Sequence, residues 1–328
     1  MSLPYWGRKS KEYMNEILNL YPDANISVFV DACMGGGSFS ENISCQMNNV
    51  ERIAFELDRG VYILHKVIKE QCDVLIDKVL NFQFNENVYV NCRKIINEVN
   101  ADTKEYEEID VALAELVLLY FSHNNMRGNT PRRLDSYKKY KDKKEQVKRK
   151  HALEVIVNRF YLKAPGNMVG LHEKWQKLQL FNDNFLNYMD LWENPEAWIF
   201  IDPPYEFSKR GIDEGRTENS NRKFGYDIDM SLQEHERFLS EIGYKYENNK
   251  LHANMIICTS YEIDDNGQLI IPDNDRYSLL LKFGFRLVEI RKRSASNYYE
   301  STENVGKGTV EKKRRKKMEV VYINYETI

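Results

Sequence analysis

Three sets of residues have the types and spacing to do chemistry. Trp198-Ile199-Phe200-Ile201 is an apolar, aromatic-rich run that stops at Asp202-Pro203-Pro204-Tyr205. It reads as a buried parallel strand, and the prolines end it because they lack a backbone N–H and fix φ. Asp202 and Tyr205 then stand at the carboxyl edge of a sheet, where open α/β folds bind ligands. A carboxylate there can accept an N–H, and a phenol ring can stack on a planar group. The second set is Gly35-Gly36-Gly37 with Ser38 and Phe39, reached from the β-branched run Ile26-Ser27-Val28-Phe29-Val30-Asp31 through Ala32-Cys33-Met34. A strand that enters a glycine triplet and then a helix lets backbone N–H groups approach a ligand closely. The spacing is neither G-x-G-x-x-G nor G-x-x-x-x-G-K-[ST], which disfavours NAD and ATP. The third set is Glu56-Leu57-Asp58 at the end of Arg52-Ile53-Ala54-Phe55, about twenty residues after the triplet. An acid at the end of a second strand accepts the ribose hydroxyls of a nucleoside cofactor, a role we assign to Glu56. Asp58 is a second candidate or a helix N-cap. His65, in the helical pattern that follows, reads as a satisfied helix residue.

These segments resemble the Dam-type (D12 class) DNA adenine-N6 methyltransferases, which use S-adenosyl-L-methionine (AdoMet). Asp202-Pro203-Pro204-Tyr205 resembles their motif IV. The glycine loop resembles motif I, with Asp31 in place of the family's acid and Ala32-Cys33 departing from its Pro-Phe. Tyr5-Trp6-Gly7-Arg8-Lys9 is similar to motif X, with Arg8 replacing a glycine, so Trp6 and Lys9 are expected at the AdoMet pocket. In Leu178-Gln179-Leu180-Phe181-Asn182-Asp183-Asn184-Phe185, either Asp183 or Asn184 takes the role of the family's cofactor-contacting Asp; helix capping is the alternative. The resemblance thus implies Asp202, Pro203, Pro204 and Tyr205 in catalysis. Trp6, Lys9, Asp31, Gly35, Gly36, Gly37, Ser38, Phe39, Glu56, Asp58, Asp183, Asn184 and Asp202 would bind AdoMet, with AdoHcy as product and no metal.

The chemistry explains the residue types. The lone pair of an exocyclic amine is delocalised into its base ring, and hydrogen bonds to both N–H groups localise it. Asp202 would accept one and the Pro203 carbonyl the other, so catalysis would come from positioning and electrostatics. Tyr205 would stack on the base, which must leave the duplex to reach these groups.

The chain has 328 residues, enough for one large or two moderate domains with a substantial core. Its net charge of −3 is unusual for a nucleic-acid binder, but basic residues cluster. One cluster follows the amphipathic stretches at 91–99 and 111–120. It begins with Asn124, Asn125, Arg127, Asn129, Arg132 and Arg133 and runs through Lys138, Lys139, Lys143 and Lys144 to Lys150. Arg and Asn read guanine and adenine edges, and lysines supply salt-dependent backbone affinity; a solvated helix face is the plainer reading. The second cluster, Lys312-Lys313-Arg314-Arg315-Lys316-Lys317, precedes a terminal β-run, 318–325. Five cysteines lie scattered with no C-x-x-C pair, which argues for reduced thiols and against a zinc site. No run reaches transmembrane length and no signal-peptide core is evident, so a cytoplasmic, bacterial or phage-encoded protein is expected.

The expected fold is α/β: a Rossmann-like, mostly parallel methyltransferase sheet with an antiparallel terminal hairpin and an inserted, mainly helical recognition domain. Residues 1–75 and 165–328 would form the catalytic, AdoMet-binding part, and 76–164 the DNA-binding insertion. The order of glycine loop, insertion and Asp202-Pro203-Pro204-Tyr205 is that of the Dam-type enzymes. It implies site-specific adenine-N6 methylation of double-stranded DNA, with a cognate restriction endonuclease among the partners the family allows. The alternatives are an N4-cytosine or RNA amine methyltransferase, or a catalytically inactive DNA-binding relative.

Overall fold

The structure, a computed structural model, describes residues 3–4, 9–43, 49–122, 141–203, 230–264, 266–299 and 314–328. In chain order the elements are α1 (Lys11–Leu18), β1 (Val28–Asp31), α2 (Ser38–Ile43), β2 (Glu51–Phe55), α3 (Arg59–Glu70), α4 (Cys72–Asn81), α5 (Glu86–Asn100) and α6 (Glu108–Phe121). There follow α7 (Lys143–Asn158), a π-helical turn (Arg159–Lys163), α8 (Ala164–Trp175), β3 (Leu178–Phe181), β4 (Ala197–Ile201) and α9 (Leu232–Glu247). The last are β5 (Asn254–Ile263), β6 (Leu269–Ile270), a 3-10 helix (Arg276–Phe283), β7 (Arg286–Tyr299) and β8 (Arg314–Ile323). The described residues fall into two compact units: 33–187 with Leu3, Pro4 and Lys9, and 10–32, 188–203 and 230 onward.

In the first unit β2 and β3 pair in parallel, from Arg52 with Leu178 to Phe55 with Phe181. Asp58 caps α3, its carboxylate accepting from the Val61 N–H at 3.1 Å. The buried stripe of α3 (Val61, Leu64, His65, Ile68) faces a core that also takes residues of α4, α5, α6 and α8. Helix α6 is buried from Ala114 through Phe121, and a helix apolar on all sides belongs inside a core. Phe84 and Phe121 stack at 3.9 Å, and Phe160 of the π turn meets Phe121 at 5.0 Å. The described part of 76–164 is mostly helical, and its buried residues share this core with α3.

In the second unit β1, β4 and β5 run parallel, with Phe29 opposite Trp198 and Ile199 opposite Met255. Strand β8 then pairs antiparallel with both β5 and β7, which is the expected terminal hairpin. Trp198 anchors β4: its Nε1 donates to the Tyr325 hydroxyl at 3.1 Å, and its ring meets Tyr21 and Phe29 edge-on at 5.1 and 5.8 Å. Helix α9 opens with a reciprocal cap in which Ser231 and Glu234 exchange side-chain-to-backbone bonds. Strand β7 extends to Tyr299 because β8, starting back at Arg314, pairs with it from Arg286 to Tyr299 with two register shifts. The molecule is thus mixed α/β with parallel central strands. Among the described residues, no helix is long and apolar enough to cross a membrane.

Candidate cofactor loop and strand-end carboxylate

The glycine loop is held at several of its polar atoms. Met34 N–H donates to the Phe55 carbonyl at 2.9 Å, and Gly37 N–H to the Met34 carbonyl at 2.8 Å, closing a turn over 34–37. Positive φ at Gly35 (49°) but not at Gly36 is the sign pattern of a type II′ turn. Glu56, at the end of β2, accepts the Gly35 N–H on Oε2 at 2.7 Å and the Asp58 N–H on Oε1 at 2.9 Å. Asn182, past β3, donates to the Glu56 carbonyl at 2.8 Å. His65 Nε2 lies 2.7 Å from the Gly35 carbonyl oxygen. His65 is fully buried edge-on against Trp175, ring centroids 4.5 Å apart. Burial pulls its pKa down to about 4, against a weaker upward pull from the Gly35 carbonyl, so the ring is neutral and donates from Nε2. Gly37 has φ of 71°, and a Cβ there would meet the Trp175 ring at 3.0 Å, so both conformation and space demand glycine.

The donor set here, a carboxylate, a hydroxyl and a backbone N–H, is of the kind a nucleoside-containing cofactor would take. The Ser38 hydroxyl is buried at the loop's exit and has no hydrogen-bond partner among the described residues, nor has the Gly36 N–H. A buried donor needs an acceptor, and the neighbouring Gly35 N–H is already taken by the buried carboxylate of Glu56. Phe39 is buried as a core residue, and Lys9 is buried. Asp58 serves as the N-cap of α3 and also accepts from Asn100 Nδ2 at 3.2 Å. Asn184 caps the turn that follows it, accepting from the Leu186 N–H at 3.0 Å, while Asp183 accepts from Asn187 Nδ2 at 2.9 Å. Trp6 lies outside the described residues.

In the second unit, β4 ends at Ile201, and Asp202 and Pro203 leave the sheet as the prolines require. Asp31, at the end of the neighbouring β1, pairs in register with Phe200, two residues before Asp202. The Ala32 N–H extends this pairing to the Phe200 carbonyl at 2.9 Å. Asp31 and Asp202 therefore mark the carboxyl ends of adjacent parallel strands; Asp31 is buried and Asp202 half-buried. Pro204 and Tyr205 lie outside the described residues.

Among the residues expected to bind DNA, Lys143 and Lys144 occupy the first turn of α7, exposed, with Asp142 accepting the Lys144 N–H at 2.8 Å. Lysines at the positive end of a helix dipole oppose it, so helix stability does not account for them. Asn124, Asn125, Arg127, Asn129, Arg132, Arg133, Lys138, Lys139, Lys312 and Lys313 lie outside the described residues. Arg314 and Arg315 begin β8, their side chains outside the description.

Sequence reasoning alone misses the roles of His65, Trp175 and Asn182. His65 has a signal: it continues the 61, 64, 65, 68 stripe, which marks the buried face of α3. Trp175 and Asn182 have none, since their contacts with the loop and with Glu56 span more than a hundred residues of chain.

A search of curated proteins gives no match. The family model described as "D12 class N6 adenine-specific DNA methyltransferase" matches residues 5–295 of the 328. With glycine loop, strand-end acid and Asp202-Pro203 all inside that span, the chain belongs to the D12 class of N6 adenine-specific DNA methyltransferases.

Proposed function

We propose that the chain methylates the exocyclic N6 of a flipped adenine at a specific site in double-stranded DNA. AdoMet, when bound, supplies an electrophilic methyl group on a sulfonium. Met34 to Ser38 and Glu56 would hold that cofactor, through the Gly36 N–H, the Ser38 hydroxyl and the carboxylate. Asp202 accepts one amine N–H on its carboxylate and Pro203 accepts the other on its carbonyl, which localises the nitrogen lone pair toward the electrophile. Tyr205 stacks on the base. Residues 76–164 serve as the recognition part, with the exposed lysines of α7 neutralising phosphates.

The observation that carries this reading is the exit of Asp202-Pro203 from the carboxyl end of a buried parallel strand, in a chain of this family. Expression in a host without its own methylases, followed by sequencing of genomic DNA for modified bases, tests it. N6-methyladenine in one sequence context is the expected result. N4-methylcytosine would keep the chemistry and change the base, and unmodified DNA would sink the proposal. Asp202→Ala should abolish modification while AdoMet binding stays within a few-fold; a mutant with near wild-type turnover removes Asp202 from catalysis.

A further inference from the structure

Resting on the proposed AdoMet site, the geometry points to His65 as a positioning residue that fixes the orientation of the Gly35–Gly36 peptide and so aims the Gly36 N–H at the cofactor.

That peptide is the middle one of the turn over 34–37. Rotating it by half a turn changes ψ at Gly35 and φ at Gly36 together and converts type II′ into type I′, which has positive φ at both glycines. Glycine adopts positive φ at no steric cost, so the sequence leaves both states open. Two hydrogen bonds act on the Gly35 residue. Glu56 holds its N–H at 2.7 Å, which leaves the following peptide free to turn. His65 Nε2 holds its carbonyl at 2.7 Å, and this bond exists in one of the two states only. Because C=O and N–H of a trans peptide point in opposite directions, a carbonyl drawn toward His65 sends the Gly36 N–H away from it. Among the described residues that N–H has no acceptor, as expected of a donor reserved for a ligand.

Packing alone does not call for histidine at this position. His65 is fully buried, and its Nδ1 has no hydrogen-bond partner among the described residues. An unpaired buried nitrogen is a cost that leucine or phenylalanine on the same stripe would avoid. What histidine adds is the bond to Gly35. Trp175 keeps the imidazole in place edge-on and also limits the space at Gly37.

The test compares wild type with His65→Phe, which keeps a ring against Trp175 and removes the donor, and with His65→Gln, which restores an N–H. AdoHcy binding is measured by calorimetry. His65→Phe should weaken it about tenfold, the size expected when one hydrogen bond no longer holds the loop. His65→Gln should recover most of the loss. The KM for AdoMet should follow binding, while kcat at saturating AdoMet stays within about threefold, because a bound cofactor reselects the same turn. Equal affinity in wild type and His65→Phe overturns the inference, and so does an equal fall in kcat with unchanged KM. Wild type that binds no AdoHcy overturns the AdoMet site itself. Should phenylalanine prevent folding, His65→Leu makes the same comparison. Glycine-selective 15N labelling gives a direct reading: one Gly36 amide signal in the ligand-free wild type, and two or an exchange-broadened one without the histidine. A single unshifted signal in the variant overturns the inference.

Discussion

The glycine loop and the start of α7 belong to one compact unit and are built on opposite principles. Residues 34–38 sit among buried partners, with Glu56, His65 and the Phe55 carbonyl each taking one atom of the turn. Lys143, Lys144, Lys148 and Lys150 stand exposed on a helix. Buried bonds of fixed geometry suit a site where direction would matter, as for a donor aimed at one ligand atom. Where charge alone matters, long flexible side chains in water suffice, and neutralising phosphates needs no fixed rotamer. Single-atom changes should therefore be severe in the first region and graded, salt-sensitive and sequence-blind in the second.

The sharpest way to break this contrast is Glu56→Ala. It removes the acceptor of both the Gly35 and Asp58 N–H groups along with a buried carboxylate. Losing a charge-assisted hydrogen bond costs about 1.5–3 kcal/mol, so the Kd for AdoMet should rise by roughly one to two orders of magnitude. An unchanged calorimetric titration would take Glu56 out of the site and leave it as a structural brace.

A smaller effect is expected from pH, and its sign follows from burial. The folded-state pKa of His65 is depressed from 6.5 to about 4. Below pH 6.5 the unfolded chain takes up a proton that the folded one refuses, so stability falls with pH until His65 itself protonates near pH 4. The stability advantage of wild type over His65→Gln should therefore shrink by about 2 kcal/mol between pH 7 and pH 5. Denaturant titrations of both proteins at the two pH values measure this; parallel curves would mean that His65 is not buried and neutral.

The mildest change belongs to the exposed helix. Lys143→Ala with Lys144→Ala should weaken binding to all duplex DNA a few-fold at low salt. It should also flatten the log–log salt dependence by about 0.9 for each phosphate that is no longer neutralised. A wild-type slope in the double mutant would make α7 a solvated face. A loss confined to one DNA sequence would instead give these lysines a part in readout.

The backbone features of the candidate site were legible because their signals are local. A β-branched run into Gly35-Gly36-Gly37, an acid ending the next strand, and Asp202 before two prolines each express a backbone rule within a few residues. The N-cap at Asp58 was legible for the same reason. The helical elements of 76–164 were partly so: the amphipathic stretches 91–99 and 111–120 lie inside α5 and α6. That α6 would be buried and share its core with α3 was not, since an apolar helix does not name the surface it packs on.

By itself, the sequence determined where β4 must leave the sheet, where glycines free the backbone and which acids end β2 and β4. Those properties depend on the residues that carry them and on near neighbours. Only the tertiary structure decided what the acids and the histidine do there. Glu56 reaches 21 residues back to the Gly35 N–H, and His65 reaches 30 residues back to the carbonyl of that same glycine. Trp175 closes over Gly37 from the far end of α8. The orientation of one peptide between two glycines is degenerate in sequence, because glycine admits both turns at equal cost. Atoms brought in from distant elements select one of them.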